Sequence, residues 1–326
     1  MTRRAGADFF GDVTGEYAAL RSAAGVVTDW HDLVWVRGPD TVQFLDGLVS
    51  QNVESLDPGH VASSLLLAPQ GKLRAPHTLL RGDGEVGLVA DAGIGQVAAE
   101  DLRRFKIRVD VEIAVEEGPV VDVWGPSAAS LVAAATDRTV PDAGHWVRHG
   151  VVTVASVAFS RVPLPRLVVA GCEAADLVAA GAIRSGRLAA DAVRIEAGEP
   201  IMGVDVDERT IPQEGLLVDG AVDFTKGCYL GQELVARIDS RGHVNRMLRG
   251  VVIGENILPP LDAAVVAGGR EVGRLTSVAE SLERRAPVAL ALVRREVAPG
   301  AEVSVEWDGG AAVARVEALP LDRFGQ

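Results

Sequence analysis

Cys228 follows Lys226 by two residues in the run Asp223-Phe224-Thr225-Lys226-Gly227-Cys228-Tyr229-Leu230-Gly231-Gln232-Glu233, which continues to Arg237. The stretch Gly231 to Ile238 reads as the start of a helix. The thiol therefore stands just ahead of free backbone N–H groups, with a cation close by in sequence, and both favour thiolate over thiol. The same residues also allow a bland reading, in which Cys228 is a small buried apolar side chain, the usual fate of a free cysteine.

Other groups are weaker. Asp205, Asp207, Glu208 and Glu214 form an acidic loop that is either a solvated face or a set of acceptors for an amidine-like N–H edge. Gly82-Asp83-Gly84-Glu85-Val86-Gly87 spells a dinucleotide fingerprint, but Asp83-Gly84 sits between two strand candidates and reads as a hairpin turn. His145 and His149 have an i,i+4 spacing on strand-like flanks, with no glutamate after the first, so they read as surface histidines. Cys172 and Cys228 belong to no CxxC or Cys/His cluster, and neither a disulfide framework nor a resident metal is expected.

The elements that must position Cys228 show a repeat. Strand Leu33–Val36, Gly38-Pro39 and a helix over Thr41–Leu48, capped by Asp40, recur as Val121–Trp124, Gly125-Pro126 and a helix through Leu131; the glycines are 87 positions apart (125 − 38). Strand Leu88–Ala90 leads into a helix over 93–105, and strand Arg166–Ala170 into one over 173–180. This pattern predicts a duplication giving two similar α+β halves that face one another. Beyond Arg249 the texture changes to five short strands, 250–254, 263–267, 271–276, 289–293 and 302–307, spaced by Pro-Pro, Gly-Gly and Pro-Gly turns: a small all-β module.

With 326 residues and 48% hydrophobic composition the chain can bury more than one core. No apolar run reaches the length a bilayer needs and no signal pattern opens the chain, so a cytoplasmic protein off the membrane is expected. The net charge of −13 argues against direct binding to nucleic acid. Lysine is scarce, with Lys72, Lys106 and Lys226 among 32 basic residues, which draws attention to Lys226.

The run Lys226-Gly227-Cys228-Tyr229-Leu230-Gly231-Gln232-Glu233 resembles the signature of the YgfZ branch of the folate-binding superfamily that also contains the glycine cleavage T-protein, an aminomethyltransferase. The resemblance spans nearly the whole chain: Asp29 and Val36-Arg37-Gly38-Pro39 through Phe44-Leu45, Arg194-Ile195-Glu196-Ala197-Gly198 through Pro212-Gln213-Glu214, and Gly273–Ser277 with Ala289–Val293. It implies two related α+β domains over 1–245 in a ring-like arrangement, an antiparallel β-barrel over 246–326, and tetrahydrofolate or a derivative in the central channel.

The resemblance further implies Glu196 at the pterin, with Asp205, Tyr229 and Arg237 as further cofactor contacts. It makes Cys228 the expected functional thiol, aided by Lys226, on a loop shaped by Gly227 and Gly231 and a helix start fixed by Gln232, Glu233 and Arg237. The T-protein's catalytic aspartate has no counterpart in Gln70-Gly71-Lys72-Leu73-Arg74-Ala75, which carries no carboxylate. A role in assembly or repair of iron-sulfur clusters in client proteins is therefore expected first. A folate-dependent one-carbon transferase using Asp205 or Glu208 as base is the alternative, and a scaffold without folate a third. Two cysteines cannot hold an ordinary cluster alone, so any cluster would be shared with a partner.

Overall fold

The computed structural model describes residues 6–322 and Phe324. The chain opens with α1 (Val13–Ser22) and β1 (Gly25–Thr28). Then come β2 (His31–Arg37), α2 (Thr41–Asp46), β3 (Val61–Leu67), β4 (Leu73–Arg81), β5 (Glu85–Asp91), α3 (Gly95–Arg104) and β6 (Glu112–Val115). The pattern returns as β7 (Val120–Trp124), α4 (Ala128–Thr136), β8 (Trp146–His149), β9 (Val152–Ser156), β10 (Arg166–Ala170), α5 (Ala174–Ala179) and β11 (Ile183–Arg184). Helix α6 (Arg187–Ala197) and, after a long irregular segment, α7 (Gln232–Arg241) lead to β12 (Arg246–Ile253), β13 (Ala264–Ala267), β14 (Arg270–Ser281), β15 (Ala286–Arg294), β16 (Glu302–Trp307) and β17 (Gly310–Glu317).

The first sheet has the order β3-β4-β5-β2-β6, and the second β8-β9-β10-β7-β1-β11. The first four strands correspond one for one, so the repeat seen in sequence is a repeat of topology. At both strand-to-helix turns glycine is required by space as well as by conformation. Gly38 has φ 133° with a carbonyl oxygen 2.3 Å from where a Cβ would lie, and Gly125 has φ 113° with one at 2.5 Å. Asp40 differs from expectation: its side chain makes no cap, and instead accepts the Asp110 N–H at 2.7 Å, tying α2 to the strand β6 approach.

The two sheets face each other through Leu33, Trp35 and Val89 on one side and Trp146, Val157 and Val168 on the other. Trp35 and Trp146 meet with ring centroids 5.5 Å apart, and at the edge of the seam His60 and His145 stack at 4.4 Å. Helices α2 and α3 cover the outer face of the first sheet, burying Phe44, Leu45, Ala98 and Leu102; α4 and α5 cover the second with Ala128, Val132 and Leu177. In α3 the buried Ala98, Ala99 and Leu102 form one stripe at helical spacing.

Strands β12 to β17 close into a barrel of six antiparallel strands, ordered β12-β15-β14-β13-β16-β17. Sequence texture indicated five of them. The sixth, β17, folds back from β16 through Asp308-Gly309, a turn with Gly309 at φ 85°. The barrel docks on α6, where Ala189 and Val193 share a core with Leu248, Ala279 and Leu290. Among the described residues, no helix is long and apolar enough to cross a membrane.

Candidate functional site

A central cavity of about 120 Å³ lies where the sheets, α6 and the segment after it converge. That is below the ~300–1,000 Å³ of drug-sized sites. Its polar lining mixes signs: Arg166 from β10 and Arg194 from α6 carry donors, and Asp91 from β5, Glu199 and Asp219 carry acceptors, beside the indole of Trp30. Glu199 accepts from Ser160 N and from Ser160 Oγ at 2.7 Å, and Asp91 accepts the Met202 N–H at 2.7 Å. The carboxylates are thus oriented by loop backbone. His31 also lines this cavity; its Nδ1 lies 2.9 and 3.0 Å from the two carboxylate oxygens of Asp122, which is fully buried on β7.

The cysteine motif sits on the first sheet, beside the β3–β4 turn. Lys226 is an internal pin. Its Nζ donates to the carbonyls of Asp46, Val49 and Gln51 at 2.7, 3.0 and 2.8 Å and reaches Asp46 Oδ1 at 3.1 Å. Its side chain is 1% exposed, and burial pushes its pKa below the ordinary lysine value. All of its donors are spent on the loop after α2, so the expected role of activating the thiol is replaced by an anchoring one. Tyr229 is the second pin. Its ring packs with Leu67, Leu73 and Val235, its hydroxyl is buried without a partner, and burial pushes its pKa up to about 12.

Between these two buried side chains Cys228 is exposed. The bland reading of a buried cysteine therefore fails for Cys228 and holds for Cys172, which is buried and whose pKa burial raises. Gly231 is at φ 81°, where a Cβ would come 2.6 Å from the Ala68 carbonyl oxygen; at Gly227 a Cβ would meet nothing within 4 Å. Close backbone approach is thus a property of Gly231 alone. Helix α7 starts at Gln232 with Gly231 as its N-cap and no side-chain cap; Glu233 lies in its first turn, and Arg237, beyond that turn, is exposed.

Glu196 does not line the central cavity. Its fully buried carboxylate accepts from Tyr17 Oη at 2.7 and 2.9 Å, from Arg21 Nη1 at 2.6 Å and from Ser281 Oγ, joining α1, α6 and the barrel. Three residues later Glu199 does line the cavity, a shift caused by the end of α6 at Gly198, φ 75°, which turns the chain inward. Asp205 is committed to structure as well: it holds Arg194 Nη1 at 2.8 Å and accepts from Thr276 Oγ1 and Ser277 Oγ, both at 2.6 Å. It borders a separate polar cleft between the 204–214 segment and the barrel. Glu208 has a 73% exposed side chain and approaches Arg74 at 3.6 Å. Arg74, the second residue of β4, is clamped by Asp101 of α3 at 2.6 and 3.1 Å.

Two features were missed by reading the sequence. The His31–Asp122 pair joins residues 91 positions apart; its one local signal is an aspartate within the apolar strand Val120–Trp124, since a carboxylate buried there must have a partner. The second is Glu199, hidden by the stronger Glu196 pattern.

Two family models match, the GCVT N-terminal domain over residues 5–164 and the glycine cleavage T-protein C-terminal barrel domain over 246–322. The chain belongs to the glycine cleavage T-protein family. Within that family it is 30% identical to an aminomethyltransferase of Thermus thermophilus over 95% of this chain and 90% of that one. It is 27% identical to an aminomethyltransferase of Streptomyces coelicolor over 98% and 93%. The tRNA-modifying protein YgfZ of Sodalis glossinidius is 26% identical over 68% of each chain. The crystal structure of glycine cleavage system aminomethyltransferase T from Bartonella henselae superposes with a TM-score of 0.86 at 22% identity, covering 96% of this chain and 91% of that one, so the fold is the T-protein fold.

Proposed function

We propose that this protein is a tetrahydrofolate-binding accessory factor of the cytoplasm that supports assembly or repair of iron-sulfur clusters in client enzymes, with Cys228 as its functional thiol. One observation carries the reading. Cys228 is exposed on a loop pinned on both sides by buried Lys226 and Tyr229, so its sulfur is presented outward at a fixed place. A thiol so placed suits contact with a client or a small co-ligand better than chemistry in an enclosed site. The central cavity would take the pterin head. Carboxylates at Glu199 and Asp91 match an amidine-like edge, and Arg166 and Arg194 match carbonyl oxygens.

A second reading, a folate-dependent aminomethyl or other one-carbon transferase of the T-protein type, is favoured by the His31–Asp122 pair, which puts acid–base chemistry at the cavity although Gln70–Ala75 carries no carboxylate. One experiment separates the two. In a strain lacking the protein, wild type should restore activity of cluster-dependent enzymes and Cys228→Ala should not, while both bind tetrahydrofolate equally. Full restoration by Cys228→Ala, or turnover of an aminomethyl donor by the purified protein, would replace the first reading with the second.

A further inference from the structure

Asp122 lies on β7 between Val121 and Val123 but on the opposite face of the sheet from them, and is fully buried. Such a carboxylate is costly unless its charge is used, and an apolar residue there would close the seam between the sheets more cheaply. Its two oxygens converge on His31 Nδ1, and Trp124 Nε1 adds a long contact of 3.4 Å to Oδ1. A carboxylate that accepts from Nδ1 leaves the lone pair of a neutral imidazole on Nε2. Among the described residues Nε2 has no protein partner, and His31 lines the central cavity.

We propose that the His31–Asp122 pair is the proton acceptor of the central cavity, receiving a hydrogen bond, and on proton transfer the proton itself, from a ring N–H of a reduced pterin-like ligand. In that transfer the N–H bond breaks, the Nε2–H bond forms, the electron pair stays on the ligand nitrogen, and the Asp122 carboxylate balances the imidazolium. The proposal rests on the folate reading of the cavity. The other charged or titratable groups facing this space are Asp91, paired opposite His31 on the neighbouring strand, Glu199, Asp219, Arg166, Arg194 and His77. Their contribution is common to wild type and to a His31 variant, so a comparison of the two isolates His31.

The test is an anaerobic titration of tetrahydrofolate into the full chain between pH 5.5 and 8, with wild type, His31→Gln and Asp122→Asn checked for fold by circular dichroism. An acceptor nitrogen that carries a proton cannot receive the ligand's hydrogen bond, so wild-type affinity should fall towards the acid end of the range, by up to about tenfold per pH unit, and the His31→Gln profile should lack that component. Asp122→Asn, whose amide can donate to Nδ1 and turn Nε2 into a donor, should bind at least about tenfold more weakly at pH 8. Identical profiles for wild type and His31→Gln, or a His31-dependent affinity that rises as pH falls, would overturn the proposal. Nitrogen-15 spectra of the imidazole decide independently of ligand: the Nδ1–H tautomer supports the acceptor role and the Nε2–H tautomer overturns it. If wild type binds no tetrahydrofolate, it is the folate reading that falls, and the tautomer alone judges the pair.

Discussion

Gly71 and Gly231 face each other where the β3–β4 turn meets the cysteine loop: a Cβ on Gly231 would fall 3.2 Å from the Cα of Gly71 and 2.6 Å from the Ala68 carbonyl oxygen. The β3–β4 turn is a platform for the thiol loop. Both glycines have positive φ, 73° and 81°, so alanine is strained at either as well as crowded. Gly231→Ala should cost about 1–3 kcal/mol in urea denaturation, whereas Gly227→Ala, in open space, should stay within about 0.5 kcal/mol.

Replacing Lys226 tests its anchoring role. Lys226→Ala leaves three carbonyls and Asp46 without their donor and should cost about 2–4 kcal/mol, with faster hydrogen exchange at 46–51 and 223–230. Wild-type stability with loss of client activation would instead return Lys226 to a direct role at the thiol.

Thiol labelling separates the two cysteines. In the folded protein one thiol per chain, Cys228, should react promptly with an aromatic disulfide reagent, and Cys172 only on unfolding. Cys228→Ser should leave stability unchanged within about 0.5 kcal/mol.

His77 gives a pH signature. Burial holds its pKa at about 4 against 6.5 in the unfolded chain. A histidine with a lowered folded value binds its proton more readily when unfolded, so stability is lost as pH falls from 6.5 towards 4, by roughly 3 kcal/mol. In His77→Gln that component should be missing from the pH dependence measured by denaturation.

Glu196 and Glu199 divide stability from binding. Burial raises the Glu196 pKa, so its favourable contribution is fullest below about pH 4.5 and declines as pH rises through the raised value. Glu196→Gln should therefore change the acid limb of the stability profile while leaving tetrahydrofolate affinity within about twofold. Glu199→Gln should weaken that affinity at least about tenfold. The reverse pattern would put Glu196 back at the pterin.

Local patterns carried the fold well. The Gly-Pro turns at 38–39 and 125–126 need glycine for reasons that act over a few residues, and they mark the duplication directly. The sixth barrel strand was less legible because Ala311, Ala312 and Ala314 give little apolar contrast along Gly310–Glu317. The site was legible in type more than in placement. The Cys228 loop is a contiguous motif, so its residues could be read together. Whether Lys226 faces the thiol or the α2 loop depends on a chain segment about 180 residues away, which no local spacing encodes. The His31–Asp122 and Arg74–Asp101 pairs are likewise products of tertiary register.

Strand β1 is made first in the chain but lies inside the second sheet, between β7 and β11. The second half is therefore not a contiguous piece of chain. As the polypeptide leaves the ribosome, the first sheet has all its strands before β1 has a neighbour to pair with, and the second can close only by recapturing a segment synthesised long before. A fragment beginning after β6 would lack its own interior strand, leaving β7 and β11 with open edges. The seam that holds His31 against Asp122 therefore needs residues from both halves of the chain, His31 on β2 and Asp122 on β7.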